Sequence, residues 1–281
     1  MGDMLKHPRV VIAFYGITRS LKYTIESIRS NVIEPARLVG DVTLLCHFFK
    51  QATISNPRTS EFGLLDLDEW KLLTPDFISL QEVDTATEDV HIQKLTPYGN
   101  AWEDNGESLR NVLRQMLSLQ RVTAMISNHV QSADVVIFLR ADMEYHDRFP
   151  MEKLIQSIHP YKVMIPFWQW SGGLNDRFAI CGRLSYQIYG SRVEKSLAYC
   201  QCYFKPLHSE RLLMYVLMRS PIQLAVTSMR ATRVRFNGQR ALESFNQVKL
   251  GKRIDGFLRC NFCTSLLILG IRLGLVKEKS F

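Results

Sequence analysis

Three short stretches of this 281-residue chain place reactive residue types at defined spacing. The apolar run Val135 to Leu139 ends in Arg140 and Asp142, one residue apart, with Glu144 after them. Side chains two positions apart in extended chain share a face, so both charges can point at one spot. Arginine there suits a phosphate, and aspartate suits Mg²⁺ or Mn²⁺; the alternative is an internal ion pair closing the strand end. In FYGITRS (14–20), Gly16, Thr18 and Arg19 precede a helix start. A helix amino terminus beside an arginine can hold a phosphate or pyrophosphate, although the spacing is neither a P-loop nor a dinucleotide fingerprint. An ordinary strand-to-helix turn explains it equally well. In WSGGLNDRFAICGR (170–183), Gly172 and Gly173 permit close backbone approach. Asn175, Asp176 and Arg177 follow, with Asp176 a candidate general base. Trp168 and Trp170 could stack on a ring or fill the core. His208 and Glu210 read as a further ligand pair or as a capped helix start.

These residues need elements to hold them. RVVIAFYG (9–16), DVTLLCHFF (41–49), DFISLQEVD (76–84), ADVVIFL (133–139) and KVMIPF (162–167) read as strands, being short, apolar and β-branched. A helix capped by Ser20 runs over Leu21, Ile25, Ile28 and Val32 to a stop at Pro35. Residues 50–61 and 85–106 read as loops. Asp104 and Glu107 have capping-box spacing before a long amphipathic helix carrying Leu109, Leu113, Met116 and Ile126. Residues 209–220 form a helix ended by Pro221, and 225–236 a final strand or pair of strands. Strands alternating with helices, and buried on both faces, predict an α/β fold with a mostly parallel central sheet flanked by helices. In such sheets ligands sit outside the carboxyl ends of the strands, where the three stretches fall.

Composition is that of an ordinary globular protein, 46% hydrophobic and 22% charged. One domain is expected over 1–256, followed by an apolar, basic tail at 257–281. The tail's charge-free run is too short to span a bilayer. It reads as core or docked helix, with peripheral contact at an acidic membrane surface as the alternative. Neither an export signal nor a membrane span is read, so a cytoplasmic location and reduced thiols are expected. Cys200-x-Cys202 and Cys260-x-x-Cys263 make a poor zinc set beside the simpler reading of inert thiols. Charge is uneven: residues 1–182 carry 18 Lys+Arg and 22 Asp+Glu, residues 183–281 carry 17 and 5. A basic final third suggests an anionic partner or a solvated basic face. No helix-turn-helix or Gly/aromatic interleaving supports nucleic acid.

The ordered set GITRSL (16–21), DVTLLCH (41–47), FLRADM (138–143) and NDRFAICG (175–182) resembles the GT-A type of nucleotide-sugar glycosyltransferase, in particular polysaccharide-type members with R-x-D in place of D-x-D. That resemblance implies a Rossmann-like GT-A fold and transfer of a sugar from a nucleotide-sugar donor to a hydroxyl on a carbohydrate acceptor. The alternative is a catalytically silent nucleotide- or sugar-binding module. It implies Gly16, Thr18, Arg19, Arg140, Asp142, Gly173 and Asn175 around the donor, Mg²⁺ or Mn²⁺ at Asp142, and Asp142 and Asp176 as catalytic carboxylates. Arg140 stands where a first metal-binding aspartate would be, and is the alternative source of positive charge for the pyrophosphate. Arg230, Arg233 and Arg235 could assist it.

Overall fold

The computed structural model describes residues 7–56, 59–102, 104–170 and 172–245. The expected tail at 257–281, with Cys260 and Cys263, lies outside the described residues. The core is a seven-stranded sheet in the order β10-β8-β9-β6-β1-β2-β5. Its strands are β1 (Arg9–Gly16), β2 (Asp41–Phe49), β5 (Phe77–Gln81), β6 (Val135–Arg140), β8 (Lys162–Pro166), β9 (Ala179–Gly182) and β10 (Gln223–Thr227). All neighbours pair in parallel except β9, which runs antiparallel to both β6 and β8. The predicted mostly parallel α/β sheet is therefore observed, and β1 and β6 lie at its centre.

Both faces of these strands are covered, which is why they read as unbroken apolar runs. Val10, Ile12 and Phe14 pack with Leu21, Ile25 and Ile28 of α1 (Leu21–Ile28) on one side. Val11, Ala13 and Tyr15 pack with Leu119, Val122 and Ile126 of α4 (Glu107–His129) on the other. Each fully buried aliphatic side chain contributes roughly 1.5–3 kcal/mol relative to exposure. Val135 to Leu139, none of them measurably exposed, anchor the sheet at the place where Arg140 emerges.

Four local expectations change. Pro35 does not stop the first helix. The chain widens into a π turn (Arg29–Ile33) and continues as α2 (Glu34–Arg37), because Pro35 lacks the N–H that would reach Asn31. The freed Asn31 carbonyl accepts from the Phe149 N–H at 2.8 Å. Ser20 does not cap α1 with its side chain; its hydroxyl donates to the Val234 carbonyl at 2.8 Å. Part of the expected loop 50–61 belongs to a hairpin, β3 (Thr53–Asn56) and β4 (Glu61–Leu64). Residues 85–95 form α3 (Thr85–Leu95), started by Asp84, whose carboxylate accepts from the Thr87 N–H at 3.1 Å.

A short antiparallel pair sits over the end of β6. In it β7 (Met143–Tyr145) pairs with β11 (Ala231–Arg233), so residues 225–236 supply the predicted pair of strands, β10 and β11. The remaining helices are α5 (Met151–Ser157), α6 (Tyr186–Gly190), α7 (Ser196–Tyr203) and α8 (Ser209–Met218). No described helix is long and apolar enough to cross a membrane. Cys46, Cys181 and Cys200 are buried free thiols and Cys202 is exposed.

Candidate functional site

The chain order around β1 creates the site. From β1 the sheet grows outward through β2 and β5 on one side and through β6 and β9 on the other. Connections diverge at the β1–β6 boundary, and the carboxyl ends of such strands border a crevice. A cavity opens there, with Tyr15 and Gly16 from β1, Phe49 from β2 and Arg140 from β6 in its wall. The hairpin contributes Ile54 to Asn56, and the polar face of α4 contributes Asn111, Arg114 and Gln115. Among the described residues four arginines, Arg19, Arg114, Arg140 and Arg233, line it together with one carboxylate, Asp142, and Arg114 is itself paired with Glu88 at 2.6 Å.

Asp142 is buried at 3% exposure, and both of its oxygens are taken. Arg140 donates from Nε to Oδ1 at 2.8 Å and from Nη2 to Oδ2 at 2.7 Å. Arg19 donates from Nη2 and Nε to Oδ2 at 2.6 and 3.1 Å. Burial alone would raise the Asp142 carboxyl, but Arg140 and Arg19 outweigh it and hold the group well below the carboxylate range. Burial likewise works against the Arg140 charge, and Asp142 overrides it. Arg140 also donates from Nη1 to Gln115 Oε1 at 2.8 Å. Arg19 reaches Glu61 on β4 at 3.4 Å, and Glu61 pairs in turn with Arg235 at 3.1 Å.

A divalent cation fits this arrangement poorly. Such ions take six or more oxygen ligands, whereas Asp142 is already saturated by guanidinium donors. No cluster of three His, Cys, Asp or Glu side chains that could hold a metal occurs among the described residues.

Arg233 is the odd member. It enters from β11 opposite Met143, and the Val234 N–H donates to the Asp142 carbonyl at 2.8 Å, which pins that strand to the same corner. Its Nε is buried with no hydrogen-bond partner. Among the described residues it has no ion-pair partner. Burial, then repulsion from Arg177 and Arg140, lowers its guanidinium from the ordinary 12.5 to about 10. Attraction to Asp142 opposes that shift without cancelling it.

The remaining expected residues separate into those at the cavity and those behind it. Gly16 lines it at φ +107, a conformation that favours glycine, and its N–H donates to Ser118 Oγ at 2.8 Å. Thr18 faces an adjoining recess with Lys50 and Trp70. The start of α1 is already answered by a carboxylate, since the Lys22 N–H donates to Glu69 Oε1 at 3.0 Å. Arg19 therefore serves the cavity through its side chain and not through a helix terminus.

The 170–183 loop is displaced from the cavity. Gly173 lies against α8, and a Cβ there would stand 2.4 Å from the Glu210 carbonyl carbon and 2.5 Å from the Arg211 nitrogen, so its close approach is to the protein itself. Asn175 donates to the Trp168 carbonyl at 2.7 Å and accepts from the Arg177 N–H at 2.9 Å. Trp168 and Trp170 are core residues, their indole N–H groups bonded to the Met229 and Pro166 carbonyls. Asp176 is buried behind the wall, 3.2 Å from Arg177 and 3.8 Å from Arg192. Burial opposes its charge, but those arginines prevail and keep the carboxyl below its usual range. It touches the cavity wall through Gln115, whose Nε2 lies 3.5 Å from Asp176 Oδ2 while its Oε1 holds Arg140.

No family model matches the chain, and no curated protein does. Among solved structures, the apo form of mouse xyloside xylosyltransferase 1 is similar over 78% of this chain and 85% of that one, at 11% identity and a TM-score of 0.42.

Several contributors escaped the sequence reading. Glu61 and the hairpin lay in a presumed loop. Gln115 and Arg114 sit on the polar side of an amphipathic helix, where glutamine and arginine are ordinary surface residues. A hint was available in the register of Leu113 and Met116 toward the core, which turns Gln115 and Arg114 toward the strand ends.

Proposed function

We propose that the chain is a glycosyltransferase that moves a sugar from a nucleotide-sugar donor to a hydroxyl acceptor in polysaccharide or glycoconjugate synthesis. The observation that carries this reading is the arginine-lined cavity at the β1–β6 switch point, with one saturated carboxylate among four guanidiniums. Such a site is complementary to a diphosphate whose charge grows as the sugar–phosphate bond breaks. The order of the G-x-x-R, R-x-D and N-D-R-F stretches supports it.

In this reading the donor's diphosphate lies against Arg19, Arg140 and Arg233, with Gly16 at the mouth. The acceptor hydroxyl attacks the anomeric carbon, the carbon–oxygen bond to the diphosphate breaks, and the hydroxyl proton passes to an oxygen of the departing diphosphate. Asp176 acts one step removed, orienting Gln115 and through it Arg140. Its depressed pKa suits an ionised anchor better than a general base, for which a value near the working pH is needed. That same feature favours the second reading, a nucleotide-binding module without turnover.

Incubation with a panel of nucleotide sugars tests the proposal. Release of free nucleoside diphosphate, slowed at least tenfold by Arg140→Lys, is the expected result. Binding without release on every donor supports the silent module, and neither binding nor release sinks both.

A further inference from the structure

We infer that the anion subsite at the end of β6 is a metal-free arginine clamp, in which Arg19, Arg140 and Arg233 hold a diphosphate and Asp142 positions two of them instead of ligating a cation. The inference rests on the proposed nucleoside-diphosphate ligand but not on catalysis.

Donor geometry comes first. A guanidinium has five N–H donors. Arg140 commits Nε, Nη1 and Nη2 to Asp142 and Gln115, and Arg19 commits its three nitrogens to Asp142 and Glu61. Both forks are thereby fixed in place, each with spare hydrogens on its Nη atoms, which is the pre-organisation that makes a rigid anion site effective. Arg233 contributes donors that no described side chain engages: its Nε is buried and unbonded, and it lines the same cavity.

Charge comes second. The ion-paired cluster holds Arg19, Arg140 and Arg235 against Asp142 and Glu61, and Arg233, which lines the same cavity outside those pairs, brings the tally to four cations and two anions. The group behind it is balanced, with Arg177 and Arg192 against Asp176 and Glu210. The excess of two positive charges equals the charge of a nucleoside diphosphate ester at neutral pH. A divalent cation added beside Asp142 would enlarge that excess and would have to displace Arg19 or Arg140 to reach an oxygen.

The test uses the full chain and inorganic pyrophosphate as the probe, with titration calorimetry in EDTA. Saturable binding is expected without metal, weakened about ten- to hundredfold by Arg233→Met, the loss of one charge-assisted contact, and largely kept in Arg233→Lys. Absence of binding in EDTA overturns the clamp, whether or not Mn²⁺ restores it, and so does affinity unchanged in Arg233→Met. Mn²⁺ titration of the protein alone, read by electron paramagnetic resonance, is a direct check on Asp142. Stoichiometric Mn²⁺ binding abolished by Asp142→Asn would overturn the inference; no saturable binding is expected. The two readings fail separately. Pyrophosphate binding in EDTA with no turnover of any nucleotide sugar keeps the clamp and removes the transferase, and strictly Mn²⁺-dependent sugar transfer does the reverse.

Discussion

Replacing Arg233 with methionine should make the unliganded protein more stable while weakening its affinity for diphosphate. The charged guanidinium is held down to about 10 from an ordinary 12.5. A basic group with a lowered folded-state pKa penalises the fold at every pH below that value, and the penalty disappears as pH rises from about 10 toward 12.5. At about 1.4 kcal/mol per pH unit, the full penalty is roughly 3 kcal/mol. Solvent entering the open cavity screens part of this and leaves about 1–2 kcal/mol. Methionine keeps the apolar stem without the charge. At roughly 2–4 °C per kcal/mol for a chain of this size, Tm should rise by about 2–8 °C at pH 7. Calorimetry without multivalent anions measures it. A parallel scan with pyrophosphate should stabilise the wild type and leave the variant nearly unmoved. An Arg233→Met protein that melts at or below the wild type without anion would refute the claim that burial and like charge outweigh the attraction of Asp142 for Arg233.

The other expectations follow from neighbouring contacts. Asp142→Asn leaves Arg19 and Arg140 buried without their shared carboxylate and should cost about 3–5 kcal/mol, read as a lower urea midpoint. Gly173→Ala puts a methyl group 2.4–2.5 Å from the α8 backbone, so soluble yield and Tm should collapse even with diphosphate present, because the contact is structural. Asp176→Asn should be less stable than the wild type at neutral pH. Its carboxyl is held below the ordinary aspartate value of about 4, so the contribution is complete above that value and lost as pH falls through the folded value. The gap between the two proteins should therefore narrow as pH falls below about 4 in acid-unfolding curves.

How much of this was legible without coordinates depended on how local the cause was. β1 and β2 match their predicted bounds, because their covered faces make them apolar throughout, and long α4 declared itself by its periodic stripe. Arg140 and Asp142 were recognisable as a pair on one face. Which partner each would choose was not, since that depends on Arg19 arriving from 123 residues away. The hairpin β3–β4 was hidden by its polar composition, and α3 by a weak apolar face, with only Asp84 and Thr87 marking its start. In WSGGLNDRFAICGR the paired glycines suggested ligand approach, but the neighbour that demands Gly173 is α8, roughly forty residues later in the chain and invisible to local pattern.

The charge asymmetry of the chain resolves in the same non-local way. Read along the sequence, the excess of Lys and Arg after residue 182 suggested an external anion or a solvated basic face. In the fold four of those arginines are answered internally by acids from the first two thirds. Arg230 pairs with Asp147 at 2.9 Å, Arg240 with Glu144 at 2.6 Å, Arg235 with Glu61 at 3.1 Å and Arg192 with Asp176 at 3.8 Å. These pairs fasten the late chain to the sheet, and at the exposed ones each is worth about 1 kcal/mol or less. Their consequence is positional more than energetic. By tying β11 and the residues after it to β7 and the hairpin, they carry Arg233 into the cavity, where Asp142 attracts it but no described acid forms an ion pair with it. An internal pairing that leaves the partly buried Arg233 without an ion pair among the described residues, at the switch point of a parallel sheet, is the ground on which the proposed diphosphate is placed beside it.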